Sequence, residues 1–209
     1  NAGMTMEHTL ILLRHGHSEW NLTDRFTGWT DIPLTEVGLA EGAAAGRRLA
    51  SAGYRFDEVH VSVLMRTRQT AEAVLVAMGT PDVPVYATWR LNERHYGALQ
   101  GMNKREIFTA WGEQAARRWW RGYHTPPPAV DLDDPRHPRF DPRYADLSRD
   151  DLPATESLAD CQRRMLPYWH YVLAPRVRAG RRLLVVSHGN TLRGLVMHLE
   201  QLSPEAMEQ

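Results

Sequence analysis

The sequence predicts an α/β fold: a mostly parallel sheet with helices on both faces, in three layers. Three observations predict it. Short apolar runs alternate with stretches of helical periodicity, the signature of parallel strands joined by crossover helices. The runs Leu10-Ile11-Leu12-Leu13 and Leu183-Leu184-Val185-Val186 are apolar at every position, as buried strands are. The length of 209 residues and the 43% hydrophobic content suit one α/β domain whose core needs no staples.

Residues 1–7, with Asn1-Ala2-Gly3 ahead of Met4, read as a tag remnant or disordered lead and stand outside the fold. Thr9 to Leu13 reads as a buried strand that opens onto Arg14-His15-Gly16, and polar residues 14–34 read as a long loop. Thr35 is placed as an N-cap, with Val37, Ala40, Ala44 and Leu49 at helical spacing and Gly53 as the stop. Val59 to Val63 reads as a second strand, followed by a helix with Arg66, Thr70, Ala73 and Ala77 that runs towards Gly79. Val83 to Ala87 is a weaker third strand. Lys104 to Arg121 reads as one helical stretch, with Ile107, Phe108, Trp111, Trp119 and Trp120 supplying apolar surface. The density of prolines from Pro126 to Pro142 forbids regular helix or central strand. Structure resumes with a helix from Ser157 to Ala174, a strand from Arg182 to Val186 and a helix from Thr191 to Gln201.

Lys+Arg and Asp+Glu balance at 25 each, and basic runs are only pairs, so charge gives no reason to expect nucleic acid. Cys161 is the single cysteine, which excludes an intramolecular disulfide and fits a reducing cytoplasm. No apolar stretch is long enough for a membrane span, and no signal-peptide pattern opens the chain. The sequence holds no His-Glu-x-x-His, cysteine pair, calcium loop, Walker loop or dinucleotide fingerprint, so no metal is expected.

A local echo carries the chemistry. Leu10 to Gly16 and Leu183 to Gly189 share one plan, an apolar strand that ends in His-Gly. Ligands of open α/β sheets sit beyond the carboxyl ends of the strands, so strands near the sheet centre would bring His15 and His188 to one site. A neutral imidazole is a competent nucleophile towards phosphorus once its tautomer is set. A transferring phosphoryl group needs cationic clamps. Arg14 adjoins His15, and Arg66 sits near the start of a helix whose amides would face the same anion. Glu93, after the third strand, is the candidate acid–base for a substrate hydroxyl. Each feature alone has a bland counterpart. A lone His-Gly is a common surface turn, and an isolated arginine is more often solvated. His60, inside an apolar run, reads as a satisfied core histidine.

Together these residues resemble the cofactor-dependent phosphoglycerate mutases of the histidine phosphatase superfamily. The resemblance is carried by Arg14-His15-Gly16-His17-Ser18-Glu19-Trp20-Asn21 and Phe26-Thr27-Gly28-Trp29. It continues through the stretch from Leu91 to Gly101, Asp141-Pro142-Arg143-Tyr144, Thr155-Glu156-Ser157-Leu158 and the stretch from Ser187 to Arg193. It covers residues 8–207 and implies one domain over 1–209, with an insertion at about 92–150 over the active site. His15 resembles the phosphorylated nucleophile, His188 the second histidine at the phosphoryl group and Glu93 the acid–base. Arg14 and Arg66 resemble the phosphate clamps, with Asn21, Gly189 and Asn190 as further contacts. Ser18, Thr27, Gly28, Arg94, Tyr96, Lys104 and Arg121 match positions that hold the substrate's phosphate or carboxylate. The implied reaction interconverts 3-phosphoglycerate and 2-phosphoglycerate, is primed by 2,3-bisphosphoglycerate and uses no metal. The implied setting is a cytoplasmic homo-oligomer, a dimer or tetramer, with small phosphoglycerates as partners and neither nucleic acid nor membrane.

Three features depart from the family pattern. His17 stands where Glu or Gln is usual, and Trp120-Arg121 stands where two arginines are usual. The sequence stops at Gln209, where family members usually continue through another strand and a mobile tail. Two further outcomes share the same frame: phosphatase activity with water as acceptor, and bisphosphoglycerate synthesis. A non-catalytic phospho-ligand binder is disfavoured because His15, Glu93 and His188 are all present.

Overall fold

The computed structural model describes residues 8–208, so the reading of residues 1–7 lies outside the described residues. Its sheet contains β1 (Leu10–Arg14), β2 (Glu58–Val61), β3 (Val85–Ala87) and β4 (Leu183–Ser187), in the order β1-β4-β2-β3. Every pair is parallel. The helices are α1 (Glu19–Leu22), α2 (Glu36–Ser51), α3 (Met65–Ala77), α4 (Lys104–Trp111), α5 (Glu113–Arg121), α6 (Leu158–Tyr168), α7 (Ala174–Arg178), α8 (Gly189–Leu199) and α9 (Pro204–Glu208). β4 lies inside the sheet, while β1 is an edge strand among the described residues. The two histidine-bearing strands are therefore adjacent without both being central.

Strand alternation sorts the apolar residues onto two faces. Ile11, Leu13, Val59, Val61, Leu184 and Val186 meet Ala71, Val74 and Leu75 of α3 and Ala45 and Leu49 of α2. Leu10, Leu12, Leu183 and Val185 meet Met165 of α6 and Leu195 of α8. A third cluster, outside the sheet, joins Phe26, Tyr96, Leu99 and Ile107 with Trp119 and Trp120 at its margin. His60 is a satisfied core histidine: its ring nitrogens meet the Tyr168 hydroxyl at 2.7 Å and Glu58 at 3.0 Å.

The predicted caps and stops hold. The Thr35 hydroxyl accepts the Gly38 amide at the start of α2, and Gly53 and Gly79 take φ +82° and +71° just after α2 and α3. Two helix readings need correction. The stretch Lys104 to Arg121 is two helices, α4 and α5, because Gly112 adopts φ +80° and breaks the ladder. The helix after Ser157 passes through a π-helical turn, Trp169–Leu173, and ends at Arg178 rather than Ala174. Pro175 withholds the amide that would bond the Tyr171 carbonyl, and the ladder slips to the wider spacing there. Residues 125–151 form no strand or α-helix, only short 3₁₀ turns such as Pro142–Tyr144, yet Val130 and Tyr144 are buried.

The buried residues of α2 are Gly38, Gly42 and Gly46, one every fourth position. They let α2 lie against α3 and against the loop after β1. A Cβ at Gly46 would stand 2.4 Å from the Val74 carbonyl oxygen, and one at Gly16 2.3 Å from that of Gly38. We expect Gly46→Ala to lower stability in chemical denaturation. Overpacking costs roughly 1–3 kcal/mol, against about 1 kcal/mol gained in helix propensity. A raised denaturation midpoint would show that the two helices separate freely.

Candidate active site

All four strands deliver residues to one end of the sheet. The β1–β4 register runs from Leu10↔Leu183 to Arg14↔Ser187, so His15 and His188 leave adjacent strands at the same level. The His15 amide donates to the Ser187 carbonyl at 3.0 Å, and the two imidazoles lie 5.0 Å apart between centroids. β2 leads through Ser62 to Leu64, the N-cap of α3, which carries Arg66 on its first turn. β3 leads through a 3₁₀ turn, Trp89–Leu91, to Glu93.

The His15 tautomer follows from its partner. Nδ1 lies 2.7 Å from the Gly16 carbonyl oxygen, which only accepts, so Nδ1 carries the proton and the Nε2 lone pair is free. Burial lowers the His15 pKa to about 3, and the charges of Arg66 and Arg14 act in the same direction. The ring is neutral at pH 7. His188 is wholly buried, and burial with Arg66 and His15 beside it holds its pKa well below the ordinary histidine value. Its Nε2 meets Ser62 Oγ at 2.8 Å, whereas Nδ1 has no hydrogen-bond partner.

The His15 ring borders a cavity of about 420 Å³. Arg14, Arg25, Arg66, Lys104, Arg121 and Arg193 line it, with Glu93 as the single carboxylate. A chain of zero formal net charge thus concentrates cations at one place. Arg66 is fully buried and donates to the carbonyls of Gly28 and Thr30 at 2.8 and 3.0 Å. Burial lowers its pKa to about 10, which leaves it charged at pH 7. Gly189 and Asn190, the first residues of α8, also line the cavity, so the helix presents its amide end there. Asn190 donates to the Tyr96 hydroxyl at 2.9 Å.

Of the residues predicted for the site, Arg14, His15, Asn21, Thr27, Gly28, Arg66, Glu93, Tyr96, Lys104, Arg121, Gly189 and Asn190 line the cavity. Three do not. His188 lies beneath the wall against His15. Ser18 is the buried N-cap of α1 and shares a capping box with Asn21. Arg94 is fully buried and donates to the carbonyls of Glu156, Trp120 and Thr125, so it ties the insertion together rather than facing the cavity. His17 meets the Thr35 hydroxyl at 3.1 Å, which places it at the start of α2.

Sequence reasoning missed Arg25, Arg193 and the cavity role of Trp120. Arg193 closes a motif already singled out; Arg25 carries no signal beyond its loop. The Trp120 ring meets two cations, Lys104 at 5.0 Å and Arg121 at 4.8 Å from its centroid. Among the described residues, no three His, Cys, Asp or Glu side chains form a cluster able to hold a metal ion. Cys161 is buried on α6, and burial pushes its thiol up to about 12.

A histidine pair at the carboxyl ends of adjacent parallel strands, set in a cation-rich cavity, defines a class. The sequence matches the histidine phosphatase superfamily (branch 1) over residues 10–136 and 131–209, and the chain belongs to that superfamily. It is 54% identical over 200 residues to a 2,3-bisphosphoglycerate-dependent phosphoglycerate mutase of Nitratidesulfovibrio vulgaris, covering 96% of this chain and 80% of that relative. The fold also matches mycobacterial glucosyl-3-phosphoglycerate phosphatase complexed with VO3, at a TM-score of 0.71 and 24% identity over 97% of this chain and 86% of that one. Bacillus stearothermophilus YhfR matches at a TM-score of 0.70 and 27% identity, over 95% and 82%.

The buried histidines set a pH dependence. His15 and His95 are both lowered to about 3, chiefly by burial, and His188 is lowered as well. In the unfolded chain these rings take up protons near pH 6.5. Between about pH 6.5 and 3 the unfolded state therefore binds more protons, and stability falls as pH falls, by up to about 1.4 kcal/mol per pH unit for each ring. Chemical denaturation should show a lower unfolding free energy at pH 5 than at pH 7.5. A flat profile would mean that the rings accept protons within the fold.

Proposed function

We propose that the chain is a 2,3-bisphosphoglycerate-dependent phosphoglycerate mutase. It interconverts 3-phosphoglycerate and 2-phosphoglycerate in glycolysis and gluconeogenesis through a phosphohistidine on His15. The observation that carries this reading is a neutral histidine with a free Nε2 lone pair, opening on a cavity with six cations and one carboxylate. The 54% identity to a mutase supports the same substrate class.

In this reading His15 Nε2 takes the phosphoryl group, and Arg14 and Arg66 offset charge on its oxygens. His188 donates to that group from beneath. Glu93 gives a proton to the leaving hydroxyl and removes one from the accepting hydroxyl. Tyr96, Thr27, Gly28, Asn21 and Asn190 shape the cavity wall, and Lys104 and Arg121 bind the substrate's other anionic end. The unpartnered Nδ1 of His188 and the concentration of cations fit a small molecule with several anionic groups, such as 2,3-bisphosphoglycerate. That compound supplies the phosphoryl group that primes His15.

On this reading the described residues form one domain, and residues 92–150 wall the cavity through Glu93, Tyr96, Lys104, Trp120 and Arg121. The enzyme works without metal, as a cytoplasmic homo-oligomer that meets neither nucleic acid nor membrane. Among the described residues no helix is long and apolar enough to cross a membrane.

The deciding assay follows 3-phosphoglycerate to 2-phosphoglycerate with and without 2,3-bisphosphoglycerate, in the presence of a chelator. The expected result is turnover that needs the bisphosphate and ignores the chelator. Release of free phosphate alone would make the chain a phosphatase. His15→Ala should abolish transfer without unfolding the protein; a folded variant with near-normal turnover would remove the phosphohistidine. Glu93→Gln should lower kcat by about 100-fold or more while changing KM far less. Unchanged kcat with raised KM would make Glu93 a binding residue.

A further inference from the structure

Beneath the nucleophile lies a chain of hydroxyls that the catalytic reading leaves unused. Ser62 Oγ has three neighbours: the Leu64 amide at 3.2 Å, Thr67 Oγ1 at 2.8 Å and His188 Nε2 at 2.8 Å. Ser62, Thr67 and His188 are all fully buried, so water does not substitute for a missing partner. We propose that Ser62 is a positioning residue that sets the tautomer of His188, so that Nδ1–H donates to the phosphoryl group at His15. The inference rests on the phosphohistidine reading.

Hydrogen-bond counting supports it. A serine hydroxyl has one proton and two acceptor lone pairs. The Leu64 amide can only donate, so it occupies one lone pair. The hydroxyl then donates once and accepts once between its two remaining neighbours. His188 and Thr67 must play opposite roles. When Thr67 donates to Ser62, Ser62 donates to Nε2 and the imidazole proton sits on Nδ1. When Thr67 instead donates to the Leu64 carbonyl at 2.9 Å, Ser62 turns to Thr67, Nε2 carries the proton and Nδ1 is a bare lone pair. Both arrangements hold the same number of protons.

The ligand selects between them. His188 lies 5.0 Å from His15 between ring centroids, and its buried Nδ1 has no partner within the protein. Phosphoryl oxygens are anionic acceptors. A bare lone pair would repel them, while an N–H would bond them. Arg66, Arg14, Arg164 and the His15 ring face His188 and, with burial, oppose a second proton on the ring. The choice is therefore between two neutral tautomers. Phosphoryl binding moves the Thr67 hydroxyl from the Leu64 carbonyl to Ser62, and the serine proton then locks Nε2 as an acceptor.

The experiment is ¹⁵N NMR of the His188 ring in the full chain saturated with inorganic phosphate, alongside steady-state kinetics. Wild type should show Nδ1 protonated and Nε2 bare. Ser62→Ala should lose this single tautomer, and kcat should fall about tenfold or more with KM changed far less. Thr67→Val should keep Nδ1 protonated, because the Ser62 proton then has only Nε2 to meet. If Ser62→Ala fails to fold, the wild-type and Thr67→Val spectra still decide. A phosphate-bound wild type with the proton on Nε2 overturns the proposal, as does a folded Ser62→Ala protein with unchanged tautomer and kcat. Absence of mutase turnover in wild type would count against the proposed function alone, since the spectrum uses inorganic phosphate.

Discussion

The pairing of β1 with β4 is the constraint on which the site depends. Residues 14 and 187 are far apart in the chain, yet Arg14 and Ser187 are register partners, and the His15 amide closes onto the Ser187 carbonyl. Register in a parallel pair with both faces buried has little freedom. A slip of one residue would turn Ile11 and Leu13, or Leu184 and Val186, towards the wrong helix layer. The packing that stabilises the sheet therefore also sets the spacing of the two imidazoles. The glycine after His15 has a packing reason, since α2 comes too close to Gly16 for a Cβ, whereas a Cβ at Gly189 would meet only Arg14 Nε at 3.8 Å.

Electrostatics in the cavity oppose stability and favour chemistry. Burying Arg66 beside two histidines is costly for every added positive charge. The protein meets part of that cost with backbone oxygens: the Gly28 and Thr30 carbonyls hold the guanidinium. The rest falls on the imidazoles, which stay neutral. Neutrality is what leaves His15 Nε2 with a lone pair, so the cations that attract an anion also keep the nucleophile available.

The parts legible in the sequence were those with a local cause. Apolar runs mark all four strands to within two residues at every end, and Thr35, Ser157, Gly53 and Gly79 mark helix ends through their own side chains or absence of one. Repetition of strand-His-Gly exposed the histidine pair. Less legible were features decided by distant contacts. Nothing within reach of Arg94 or Ser18 shows that one clamps carbonyls of the insertion and the other caps a one-turn helix. Ser62 and Thr67 read as ordinary strand-end and helix residues until β4 brings His188 against them. The break between α4 and α5 falls at Gly112, an isolated glycine, and such a residue can sit inside a helix as well as end one.

Glu93 poses a different structural problem from the histidines. The histidines follow directly on strands, whereas Glu93 arrives on an irregular segment after a 3₁₀ turn and has no ladder to hold it. The protein supplies the missing order with donors aimed at the segment's carbonyls. Arg164 reaches the carbonyls of Trp89, Arg90, Asn92 and Glu93, and Trp29 Nε1 adds a bond to Glu93 at 2.6 Å. Arg164 is itself held by Glu156 at 2.7 Å in a buried ion pair, and the other Glu156 oxygen accepts the His95 amide just beyond Glu93. A buried pair of this kind is a weak source of net stability. Its value lies in geometry: one planar guanidinium with several fixed donors sets four carbonyls of one short segment at once. Helix α6 carries Arg164, and α6 also packs on the sheet face opposite α2. The carboxylate is thereby referenced to the same sheet as the histidines, through one side chain rather than through a strand.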